Sequence, residues 1–155
     1  MSSLAKILLS LSLVFASSCC WPDSEQPVRP KNVLGWKEST AGGVRSICIL
    51  VLNKGESSDN GEIGVKVVDI IPADPCAHRG TFHGSRRVVL RFFRPSDQKV
   101  LYEDTFTEGS GTLDSPHHCG SDVAGVTAIH INAINTAEGW VYFDLRNRNL
   151  LKEKN

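Results

Sequence analysis

An antiparallel β-sandwich of about six to eight strands is the fold class that this all-β sequence predicts. Two observations carry that expectation. Short runs rich in Val, Ile, Phe and Tyr alternate apolar with polar positions, and Asn-Gly, Pro and Gly clusters separate them. No amphipathic helix is evident beyond the N-terminal stretch. Parallel strands need crossover connections, usually helical, so an α/β sheet is disfavoured. Two packed antiparallel sheets bury such strands economically, with a closed barrel as the alternative.

The chain has 155 residues and opens on an export signal. Lys6 supplies the positive end, residues 7–16 form the apolar run, and Ala16-Ser17-Ser18 offers small residues at a cleavage site. The run is far shorter than the roughly 20 residues that span a bilayer. Residues 1–18 are therefore expected to be removed, which predicts a secreted or extracytoplasmic protein. Ala16-Ser17-Ser18-Cys19 also loosely resembles a bacterial lipoprotein signal, in which Cys19 would carry a lipid. Such a chain would tether the domain to a membrane without embedding it. Residues 19–31, with Pro22, Pro27 and Pro30, read as a linker, residues 32–150 as the sandwich, and residues 151–155 as a charged tail.

Residues 32–38 form a candidate first strand weakened by Gly35, and residues 39–43 a turn. In residues 44–53, Ile47, Ile49 and Val51 share one face while Cys48, Leu50 and Leu52 share the other, which suggests a central strand. Residues 54–61 read as a loop ending in Asn60-Gly61, a strong turn signal. The next strand, 62–71, places Ile63, Val65 and Val67 together, and the doubled Val67-Val68 is compatible with a bulge.

Residues 86–107 form the clearest hairpin. One register pairs Arg91 with Glu103, Phe93 with Leu101 and Val89 with Thr105 on one face. The other face then pairs Phe92 with Tyr102 and Val88 with Phe106. Each such pair contributes roughly 0.2–1 kcal/mol. Long loops, 72–85 and 108–122, flank this ribbon, and its two strands return the second loop to the end of the sandwich that holds the first. Residues 123–135 form a strand with Thr127, Ile129, Ile131 and Ala133 on one face. In 140–146, Val141, Phe143 and Leu145 face in, while Trp140, Tyr142 and Asp144 face out.

The formal charge is zero, and loss of Lys6 leaves one more acidic than basic side chain. That balance gives no support to nucleic acid as a partner. No phosphate loop, nucleophile elbow or paired-carboxylate pattern appears, so a non-catalytic role is favoured over an enzyme. The expected partner is a protein or a carbohydrate. Trp140 and Tyr142 could stack on it, unless that face packs under the N-terminal segment. Arg86 and Arg87 could form an anion-attracting rim beside the first loop, or serve only to discourage edge pairing.

The two long loops hold four of the five histidines, His78 and His83 in the first and His117 and His118 in the second. Zinc or copper could use them, although their spacing matches no metal signature. Cys76 and Cys119, one in each loop, are the preferred disulfide of an exported chain. Cys48 reads as a buried thiol.

Overall fold

The computed structural model describes residues 25–41, 44–108, 126 and 128–146. These form two four-stranded antiparallel sheets packed as a β-sandwich, with no helix among the described residues. The strands are β1 (Ser39–Ala41), β2 (Val44–Asn53), β3 (Ser57–Asp59), β4 (Gly64–Ile71), β5 (Arg87–Phe93), β6 (Val100–Thr107), β7 (Ala128–Asn135) and β8 (Trp140–Arg146). The first sheet runs β1-β2-β8-β7 and the second β3-β4-β5-β6.

Period-two patterning places the core. Cys48, Leu50 and Leu52 of β2 meet Val141, Phe143 and Leu145 of β8 and Ile129, Ile131 and Ile134 of β7. Opposite them lie Val65 and Val67 of β4, Val88, Leu90 and Phe92 of β5, and Phe106 of β6. Burying each such aliphatic or aromatic side chain contributes about 1.5–3 kcal/mol. The central place expected for β2 holds, since it pairs with β1 on one side and β8 on the other.

The ribbon keeps the expected pairs Val88–Phe106, Val89–Thr105, Arg91–Glu103 and Phe92–Tyr102. It departs at its turn, where an irregularity sets Phe93 opposite Val100 rather than Leu101. Phe93 stays outside the inter-sheet core, yet is only 8% exposed, because its ring lies over Gly64, its partner on β4. The irregularity after Val67 falls where the doubled valine placed it.

Three boundaries differ from the sequence reading. Residues 32–38 contribute only an isolated bridge between Gly35 and Ile49, because one residue pair cannot propagate a ladder there. Residues 39–41, expected as a turn, form the edge strand β1 against β2. The expected loop 54–61 contains β3, which pairs with β4 through a turn closed by the Asn60 side chain on the backbone amides of Glu62 and Ile63. Gly61 supplies the left-handed conformation of that turn, at φ 90°. On β7, an irregularity between Ile131 and Ala133 moves the inward position from Ala133 to Ile134.

The expected export signal, Cys19, Cys20 and the tail 151–155 lie outside the described residues. The last part of the expected linker lies against the sandwich. Gln26 accepts the Thr136 amide at 3.0 Å, the Pro27 carbonyl accepts from the Asn135 side chain at 3.0 Å, and Arg29 donates to the Asn53 side chain at 2.8 Å.

Candidate functional site

The outer face of the first sheet holds a carboxylate that solvent hardly reaches. Asp144 alternates outward on β8 between Phe143 and Leu145, yet it is only 4% exposed. A buried carboxylate needs donors around it, and the flanking strands supply them. On β2 the ladder shifts between Ser46 and Cys48, and the Ser46 hydroxyl donates to Asp144 Oδ2 at 3.2 Å. On β7 the ladder shifts between Ile131 and Ala133, and the Asn132 amide donates to Oδ1 at 2.9 Å. Arg146, two residues along β8, donates its Nε–H to Oδ2. Bulges re-aim side chains. Here two of them, on opposite sides of β8, converge on one carboxylate.

These residues line a cleft of about 250 Å³ with Ser39, Ile49 and Tyr142. Tyr142 is half-buried and contributes an aromatic wall. The cleft combines one anionic and one cationic side chain, already paired, with a hydroxyl, an amide, a phenol and an aliphatic wall. Beside it, His130 lies opposite Asp144 in the β7–β8 ladder; its Nδ1 is buried with no hydrogen-bond partner.

Of the two aromatics expected to face a ligand, Tyr142 lines this cleft and Trp140 does not. Trp140 has the outward position but is fully buried. The Arg29 guanidinium stands 5.9 Å from its ring centroid, and its indole N–H donates to Glu138 at 2.6 Å. The N-terminal segment therefore covers Trp140, the alternative raised for that face.

Arg86 is a correction. It is 4% exposed and cannot serve as a surface rim. Its guanidinium donates to the Ile134 carbonyl and to the Glu25 carbonyl, both at 3.1 Å, and pairs with Glu108 at 3.5 Å. Glu108 in turn accepts the Ile134 amide at 3.1 Å. The ion pair thus satisfies both backbone groups of Ile134 on the open edge of β7. Arg87 points the other way, stacked 5.1 Å from the exposed Phe82 ring and 3.3 Å from His83 Nδ1.

His78 and His83 are exposed in the first loop, while His117 and His118 lie outside the described residues. No group of three or more metal-ligating side chains gathers among the described residues. Cys76 is exposed in the first loop, and the expected pairing with Cys119 lies outside the described residues. Cys48 is the buried thiol expected, and burial pushes its pKa up to about 12.

Sequence reasoning missed Ser46, Asn132, Asp144 and Arg146 as a group. The one available signal was an acid at the centre of an otherwise apolar strand, in WVYFDLR. No protein-family model, curated protein or solved structure matches this chain.

Proposed function

We propose that this protein is an exported, non-catalytic binding module whose outer-face cleft holds a neutral, hydroxyl-rich ring of a carbohydrate. The observation that carries this reading is the near-complete burial of Asp144 within a hydrogen-bonded outer-face network beside Tyr142. Asp144 and Arg146 neutralise each other, so an ion gains little net attraction in the cleft. A sugar presents both donors and acceptors to the Asn, Ser and Tyr groups, and an apolar ring face to the aromatic wall. The volume of about 250 Å³ lies below the roughly 300–1,000 Å³ of sites for drug-sized ligands, which favours a single ring. Hydrolysis of a glycosidic bond ordinarily uses two carboxyl groups. Asp144 is the single acid among the described residues of the cleft, which favours binding over cleavage.

A glycan array tests this reading with wild-type protein, Tyr142→Ala and Asp144→Asn. Wild type is expected to bind a subset of neutral glycans. Tyr142→Ala is expected to weaken that binding by about tenfold, the value of one aromatic contact. Equal binding by all three proteins rejects the cleft as the site.

A further inference from the structure

We infer that residues 25–30 act as an end-stop, so that the cleft recognises the terminal unit of a saccharide and not an internal one. The inference rests on the carbohydrate reading of the cleft. Its own evidence is the geometry of β8. Trp140 and Tyr142 share the outer parity of one strand, with Val141 turned to the core between them. Their attachment points are about 7 Å apart at 3.4 Å per residue. An uncovered pair would be a two-ring platform, on which successive units of a linear saccharide could stack.

The platform is cut in half. Arg29 takes the Trp140 ring as its own cation–π partner and is fixed by its bond to Asn53. Both groups next to Trp140 are held in turn. Glu138 accepts the indole N–H, and Asn135 ties the Pro27 carbonyl to the end of β7. Arg86 adds a tether from inside the sandwich through the Glu25 carbonyl. Three side chains from separate parts of the fold, Asn53, Asn135 and Arg86, thus hold this segment where a second ring would sit. A saccharide in the cleft would end at Tyr142 and leave in the direction away from Trp140.

Isothermal titration tests this with methyl glycosides of glucose, galactose and N-acetylglucosamine, and with the linear trisaccharide of each unit. For wild type, the glycoside that binds and its trisaccharide are expected to agree in affinity within about twofold, since one ring makes the contacts. Arg29 is exposed, so Arg29→Ala should fold normally. Uncovering Trp140 in that variant is expected to favour the trisaccharide by about threefold or more, the worth of one added stacking contact. Trp140→Phe in the Arg29→Ala background should reduce that gain.

A wild-type protein that binds the trisaccharide tenfold or more tighter than the glycoside overturns the end-stop, as does an Arg29→Ala ratio equal to that of wild type. Failure of every glycoside and trisaccharide to bind wild type instead removes the carbohydrate reading, and the end-stop with it.

Discussion

Arg86 and Arg87 are adjacent, chemically identical and opposite in fate. One is buried beneath the open edge of β7 and the other rests on an exposed phenyl ring. At 4% exposure, two carbonyls and the Glu108 carboxylate take the place of water around the Arg86 guanidinium. Arg86→Ala should leave Glu108 and the Ile134 carbonyl without their partner and cost about 3–5 kcal/mol. Urea unfolding measures this, and a loss below about 1 kcal/mol, the scale of a surface pair, would show that the contact is solvated. Cys48 yields a second prediction at this scale. Burial keeps its thiol protonated in the fold up to about pH 12, whereas in the unfolded chain it ionises near its ordinary value of about 9. Its contribution is therefore intact below about pH 9 and lost as pH rises toward 12, by up to about 4 kcal/mol. Comparing the alkaline unfolding of wild type and Cys48→Ala isolates it; parallel pH profiles would contradict it. Which arginine is buried was not legible in the sequence. Alternation assigns neighbours to opposite faces, but the partners of Arg86 lie at residues 25, 108 and 134, far along the chain.

At the scale of elements, the ladder irregularities do most to separate the observed strands from ideal ones. The ribbon β5–β6 was readable as far as Phe92–Tyr102, because charge, aromatic and β-branched pairs all agree in that one register. The irregularity beside Phe93 carries no such pairing signal, since Val100 and Leu101 are equally apolar. Its consequence is specific. Phe93 lies across Gly64, and a Cβ at that glycine would collide with the ring. Gly64→Ala should therefore destabilise the fold by about 1–3 kcal/mol through overpacking, as thermal unfolding can measure. Phe93→Leu should recover part of that loss in the double variant. Additive losses in the two single variants would show that the ring and the glycine do not meet. The cleft depends on the same kind of feature. The shifts on β2 and β7 bring Ser46 and Asn132 to Asp144, and neither follows from composition or periodicity.

For the whole molecule, the sandwich is closed along both long sides by side chains. On the β1–β3 side, the Trp36 indole donates to the Ser58 hydroxyl at 2.7 Å and joins the two sheets. On the β6–β7 side, Arg86 and Glu108 join them through the backbone of Ile134. Trp36→Phe should cost about 1 kcal/mol for the lost hydrogen bond, and speed amide exchange in β3. Unchanged β3 exchange would place the closure elsewhere. The fold class was legible because burial of alternating strands dictates it, whereas the cleft was not, since it is assembled from β1, β2, β7 and β8 across the chain. The central claim, that this cleft binds a neutral sugar ring, is tested most directly by amide chemical-shift mapping. The protein would be titrated with the methyl glycosides of glucose, galactose and N-acetylglucosamine. Saturable shifts at Ser46, Asn132, Tyr142 and Asp144, abolished by Asp144→Asn in a folded variant, are predicted. No shift with any glycoside, or shifts centred on the first loop around Phe82 and Arg87, would contradict the claim.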